Sequence, residues 1–359
     1  MEKLYEMFIK AESLIISNMP VMQATIYTCI LLISWLGARA ILYDELTTGE
    51  LMSLLTYCMN ILMSLMMLSM IFVMITMSFA SAQRITEVIK EESDLKDPED
   101  PIMTVDDGSV DFVHVNFGYN KTAEEYVLKD VTLHVKAGEM IGIIGGTGSA
   151  KSSLVNLIPR LYDVSDGEVR VGGIDVRKYD IVTLRDQVSM VLQQNNLFSG
   201  SILENLRWGN EDATEEECRE ACRMAQAAEF IERMPDGYDT HIERGGVNVS
   251  GGQKQRLCIA RALIKKPRVI IFDDSTSAVD TATDAKIRKA INEEIPDTTV
   301  FIIAQRISSV QQADRIIVMD DGCISAIGTH EELLKTSEIY RDVYESQTGG
   351  AGDFDSPFS

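Results

Sequence analysis

The sequence predicts an α-helical transmembrane segment of two spans followed by an α/β domain built on a mostly parallel sheet. Three observations carry that reading. Twelve of the 18 Met fall within the first 77 residues, beside two long stretches without charge. From Gly108 onward, short β-branched runs alternate with helical patterns. One of those runs opens directly into a Gly-rich loop and an apolar helix. The chain has 359 residues, 45% of them hydrophobic, enough for two domains at roughly 100–200 residues each. With 24 Gly, 8 Pro and 6 Cys it is neither collagen-like nor a small disulfide scaffold. Lys plus Arg total 33 against 55 Asp plus Glu, a formal net charge of -22. That sign opposes a phosphate backbone, so no nucleic-acid partner is expected.

The first element is a span at about residues 19–40. No residue between Glu12 and Arg39 is charged, and about 20 apolar residues cross a bilayer core. The second span lies at about 52–80, inside the uncharged run Leu51 to Gln83. At about 1.5 Å per residue that run exceeds one crossing, so its helix is expected to continue out of the membrane. The segment Arg39 to Glu50 joins the two as a hairpin. Lys3, Lys10, Arg84 and Lys90 flank its ends and assign that side to the cytoplasm. Residues 1–88 therefore form the membrane portion. Cys29 and Cys58 lie in the spans, and Cys218, Cys222, Cys258 and Cys323 lie beyond them. Without a second pair at metal-ligand spacing, these read as reduced structural thiols.

Residues 89–108 include "EESDLKDPEDP" and read as a solvated linker. The soluble domain occupies 109–346. Its runs Met140 to Ile144, Val188 to Leu192, Val269 to Phe272, Val300 to Ile303 and Ile316 to Met319 alternate with helical segments, the pattern of a parallel sheet flanked by helices. The tail 347–359 has no periodicity and is expected to be disordered.

The strand ending at Ile144 leads into Gly145, Gly146, Thr147, Gly148, Ser149, Ala150, Lys151, Ser152 and Ser153. This is the strand, loop and helix context of a phosphate-binding loop. Gly145 and Gly148 let the backbone turn its N–H groups inward, and the helix start adds partial positive charge. Lys151 would reach the β- and γ-phosphates, and Ser152 would ligate Mg²⁺. Downstream, "RVIIFDD" ends a strand in Asp273, which would hold the Mg²⁺ shell, and Asp274. Between them, "VSGGQKQR" opens a helix with Ser250, Gly251, Gly252 and Gln253, a second candidate phosphate grip.

With these motifs in order, the chain resembles the ATP-binding cassette (ABC) exporters over about residues 1 to 346, which implies an α/β P-loop NTPase fold for the soluble domain. The resemblance implies ATP and Mg²⁺ as cofactors. It makes Tyr119, in "FGY", the aromatic that stacks on adenine, and Gln193, in "VLQQN", the loop glutamine that senses Mg²⁺. "ERGGVN", Glu243 to Asn248, matches the loop before the signature, and Asp280, in "SAVD", the aspartate at the dimer interface. Two such domains pair head to tail in the family, each ATP lying between one phosphate loop and the other chain's signature.

Besides Val249 for the usual Leu of the signature, three positions on the phosphate side of the site depart from the family pattern. Ala150 replaces the usual Gly, Asp274 the Glu that activates water, and Gln305, in "IIAQR", the switch histidine. Asp274 sits one methylene further back than Glu, and a general base contributes roughly 10²–10⁴-fold. Gln305 donates an amide hydrogen bond but cannot become cationic. The expectation is a degenerate ATP site, with catalytic candidates Asp274, Gln305 and Gln193, in a heterodimer with a second ABC half-transporter. That partner would have Glu and His at the corresponding positions. Exporters of this type carry six spans, and this chain holds what resemble the fifth and sixth, so the coupling helices are expected before Met1. The expected protein is integral to a bacterial plasma membrane, in contact with membrane lipid, its nucleotide-binding domain cytoplasmic, exporting a substrate the sequence does not reveal. The alternatives are a regulatory subunit that clamps ATP without turnover and a soluble cassette ATPase.

Overall fold

In the computed structural model, residues 2–120, 125–274 and 279–348 are described. The chain divides into two compact units, Met1–Ser93 and Asp94–Ser359. The first is a helical hairpin, α1 (Glu2–Leu42) and α2 (Thr48–Lys90). The charged joining segment is mostly helical, and the turn occupies only residues 43–47. Thr47 ends it by accepting from the Glu50 N–H while the Glu50 carboxylate accepts from the Thr47 N–H, a reciprocal cap. Gly37 lets α1 approach α2, because a Cβ there would collide with Leu51 Cδ1. Pro20–Leu42 and Thr48–Lys90 are long and apolar enough to cross a membrane. α2 buries none of its residues, and Met70 and Phe72 are 76% and 72% exposed. At about 25 cal/mol per Å² such a surface is costly in water, so lipid or other apolar helices are its natural solvent.

In the second unit, β1 (Val110–Phe117) and β2 (Leu128–Val135) precede β3 (Met140–Gly145) and α3 (Lys151–Asn156). Then come β4 (Asp166–Val171), β5 (Ile174–Asp175), α4 (Ile181–Gln187), β6 (Val188–Val191), β7 (Gly200–Ser201), α5 (Ile202–Arg207), α6 (Glu215–Met224) and α7 (Ala228–Ile231). β8 (His241–Ile242), α8 (Gly251–Ile264), β9 (Val269–Asp273), α9 (Thr281–Glu294) and β10 (Thr299–Ile303) follow. β11 (Arg315–Asp320), β12 (Cys323–Gly328), α10 (His330–Thr336) and α11 (Glu338–Thr348) complete the described chain.

All five predicted strands join one sheet, ordered β12-β11-β3-β10-β9-β6, in which only β12 runs antiparallel. Their apolar runs are buried or half-buried on both faces, as strands covered by helices must be, apart from Leu192, which lies past the end of β6 and is exposed. The sequence did not disclose the second sheet, antiparallel, ordered β2-β1-β4-β5. In β1 the buried positions are Val110 and Phe112, then Val115 and Phe117. Register shifts between Phe112 and Val115 invert the phase, and an alternation broken after two steps gives little periodic signal.

Two boundaries differ from expectation. The acidic linker is stitched to the domain: Arg160 donates to the Lys96 carbonyl, the Asp97 carboxylate accepts from Ile181 N–H at the start of α4, and Ile102 bridges to Tyr179. The Asp97 carboxylate serves as an acceptor at a helix start, which composition alone does not reveal. At the other end α11 runs through Thr348, so Gln347 and Thr348 are helical; the remainder of the expected tail, 349–359, lies outside the described residues.

Candidate functional site

The parallel strands bring their carboxyl ends together. Ile143 of β3 pairs with Ile303 of β10, Ile303 with Asp273 of β9, and Phe272 of β9 with Val191 of β6. The residues just beyond those ends are therefore neighbours, at the edge where open α/β sheets bind ligands. Here the phosphate-loop candidates, Asp273, Asp274, Gln193 and Gln305 converge.

The loop is shaped by close approach and by left-handed backbone. A Cβ at Gly145 would meet the Met319 carbonyl and lie 2.6 Å from Ser149 Oγ. Gly148, φ +84, stands at the exposed apex beside Thr147, and Gly146 is half-buried. Ala150 also adopts the left-handed region, φ 70 and ψ 22, where an L side chain costs roughly 1–2 kcal/mol. It stands at the N-cap of α3 without a side-chain cap, so the first N–H groups of α3 have no capping side chain. Lys151 folds over this loop, Nζ donating to the Gly145 and Gly146 carbonyls at 2.8 Å each and to Ser149 Oγ at 3.3 Å. Ser152 Oγ donates to Asp273 Oδ1 at 3.0 Å. Burial pushes the Asp273 carboxyl above the usual carboxylate range, while the Ser152 hydrogen bond and the Lys151 charge pull it down.

Asp274, at φ 47, turns back from β9, its N–H donating to the Ile303 carbonyl. Its Oδ2 accepts two amides, from Gln193 Nε2 at 3.1 Å and Gln305 Nε2 at 2.9 Å. The three altered or sensing residues thus form one hydrogen-bonded group. Two donors on one carboxylate oxygen occupy the lone pairs through which that oxygen would orient a water.

Tyr119 is 54% exposed, and its hydroxyl shares a 2.9 Å hydrogen bond with Ser153 of α3. Edge contacts from Phe117 and Tyr162 hold its ring beside the phosphate loop with surface left for a flat ligand. Tyr162 carries no motif, and the sequence reading missed it.

Ser250 and Gln253 close a capping box at α8: Ser250 Oγ accepts from Gln253 N–H, and Gln253 Oε1 accepts from Ser250 N–H. Gly251 is exposed and Gly252 half-buried. Asp280 caps α9 through Thr283, whose hydrogen bonds hold the Asp280 carboxyl below its usual range. Cys218, Cys222 and Cys258 are buried free thiols, and burial pushes Cys222 up to about 12.

Residues 128–277 match the family model described as "ABC transporter". An uncharacterized ABC transporter ATP-binding protein of Bacillus subtilis, YfiB, is 40% identical over 350 residues, covering 98% of this chain and 60% of that protein. The chain belongs to the ABC transporters. Within that family, an ATP-dependent lipid A-core flippase of Desulfotalea psychrophila is 36% identical over 316 residues, covering 88% of this chain and 55% of the flippase. The solved structure of a bacterial Atm1-family ABC exporter with ATP bound superposes with a TM-score of 0.77 at 30% identity, covering 91% of this chain and 57% of the exporter. The ABC chain therefore spans less than two thirds of the length of these relatives. Its soluble unit is an ABC nucleotide-binding domain, which binds ATP, and the two candidate spans precede it.

Proposed function

We propose that the chain is a subunit of an ATP-driven exporter in a bacterial plasma membrane, in contact with lipid, and that its own ATP site is the weak member of an asymmetric pair. The observation that carries the reading is the convergence of Lys151, Ser152 and Asp273 at the strand ends with the Asp274, Gln193 and Gln305 group beside them. The likeness to a flippase and to an ATP-bound exporter supports the transport class.

Ser152 Oγ and Asp273 Oδ1 lie 3.0 Å apart, two hard oxygen donors of the kind Mg²⁺ takes. Ser152 and Asp273 would hold Mg²⁺, directly or through water, and Gln193 would join them. When bound, Mg²⁺ supplies charge to the β- and γ-phosphates. Lys151 leaves its carbonyl partners to neutralise phosphate, the N–H groups at the start of α3 bind phosphate oxygens, and Tyr119 stacks on adenine, worth roughly 1–3 kcal/mol. Asp274 is one methylene shorter than Glu and accepts two amides on one of its two oxygens, so it would position an attacking water poorly.

Ser250, Gly251 and Gly252 are proposed to face the phosphate loop of a second ABC subunit, whose site carries most of the turnover. In the assembled pair, Gly251→Asp should stop most ATP hydrolysis while Asp274→Asn has a much smaller effect. The reverse ranking defeats the asymmetric assignment. The two amides on Asp274 Oδ2 favour a second reading, in which this site clamps ATP without cleaving it. Single-turnover hydrolysis with the partner site disabled separates slow cleavage from none.

A further inference from the structure

The last described helix reaches back to the switch position. α11 is anchored by Tyr340 and Val343, both buried, and by a 2.8 Å hydrogen bond between the Tyr340 hydroxyl and His330 Nδ1. That anchoring places Gln347 against the short 3₁₀ turn Ile307–Ser309, which follows directly on the switch residue Gln305 and Arg306. The Gln347 amide makes two bonds there. Its Oε1 accepts from Ile307 N–H at 2.9 Å, and its Nε2 donates to the Gln305 carbonyl at 2.8 Å. One planar amide thus clasps the backbone on both sides of Arg306.

The clasp answers a local need. Ile307 opens a helical turn, so its N–H has no partner within that turn, and Arg306 at the N-cap offers no side-chain acceptor. Ile307 is 2% exposed, so water is a poor substitute. Other bonds hold the rest of the loop: Ala304 N–H donates to the Ile143 carbonyl at 3.2 Å, and Arg288 donates to the Ser309 carbonyl. Between these anchors, the Gln347 clasp orients the peptide that carries the Gln305 side chain toward Asp274, 2.9 Å away.

We infer that Gln347 is a positioning residue for Gln305, setting how the switch amide meets Asp274 and the terminal phosphate of bound ATP. The inference rests on the reading of this site as an ATP site with Gln305 at the switch. A switch residue that meets only the third phosphate separates ATP from ADP, whereas general stability does not.

The test is the affinity of the full chain in detergent for ATP and for ADP, each with Mg²⁺. Gln347→Ala should weaken ATP about tenfold, the scale of one hydrogen bond lost between the Gln305 amide and a charged phosphate, and leave ADP within about twofold. Gln305→Ala should do the same, and the double variant should be no weaker than either alone, because both remove one interaction. Gln347→Glu keeps an acceptor for Ile307 N–H but sets an anionic oxygen against the Gln305 carbonyl; it too should lose the preference for ATP, with a melting temperature near wild type. Equal loss of ATP and ADP, an additive double variant, unchanged ATP affinity in both Gln347 variants, or a wild type without preference overturns the inference. Lys151→Ala should lose both nucleotides. If it keeps both, the site reading itself fails and the inference falls with it; if it loses both while Gln347→Ala is silent, only the inference falls.

Discussion

Two glycine-bearing loops in this domain run into helices, and they end differently. At α3 the N-cap is Ala150, left-handed and without a side-chain acceptor, under a folded-back Lys151. At α8 the N-cap is Ser250, with φ -67 and ψ 159 and a complete capping box. The first start is strained and has no side-chain cap. The second is relaxed and satisfies Gln253 N–H within the chain, so what it can offer a phosphate is the Ser250 O–H and the glycine amides. Similar sequence patterns thus build a cradle in one place and a capped, self-supporting tip in the other. The cradle depends on charge, the tip on hydrogen-bond geometry.

Substitutions at each start should break along that line. The largest effect is expected from Lys151→Ala, which removes the cradle's charge and should weaken ATP binding by the full chain about a hundredfold, as for loss of charge-assisted hydrogen bonds. Next, Asp274→Glu with Gln305→His should raise hydrolysis at this site at least about tenfold by restoring reach to water; no gain in single-turnover assays would refute the proposed weakness.

Asp273→Asn sharpens the contrast between function and stability. The folded-state pKa of Asp273 is raised by burial, so its contribution to stability is present below the unfolded value and lost as pH rises through the folded one. The variant should therefore melt higher than wild type at pH 7, by about a few degrees, and show less difference near pH 4, while losing Mg²⁺-dependent ATP binding. Ser250→Ala should cost about 1 kcal/mol of stability through the lost cap and leave nucleotide affinity at this chain's own site unchanged. Ala150→Gly should have the smallest effect. Relief of left-handed strain is partly offset by the added freedom of Gly in the unfolded chain, for a net gain of under about 1 kcal/mol, read as a small rise in melting temperature.

The amino-acid order alone carried the hydrophobic hairpin, the parallel strands and the phosphate loop, because each is written in contiguous residues: uncharged length, apolar runs, and glycines at set spacing. Even the left-handed turn at residue 150 follows from a local pattern in which glycine is the usual occupant. What needed the folded molecule was every relation between segments far apart in the chain. The antiparallel sheet was hidden by bulges that reset its alternation. The linker's composition reads as solvated because acidic residues look alike whether they face water or cap Ile181. Asp274, Gln193 and Gln305 were named separately, but only strand order and register bring two amides onto one carboxylate oxygen. Gln347 lies in a stretch without periodicity, since a side chain that bonds backbone across 40 residues leaves no periodic trace. Local chemistry is encoded in neighbours along the chain, whereas hydrogen-bond partners at long separation are chosen by packing, and packing depends on all the residues at once.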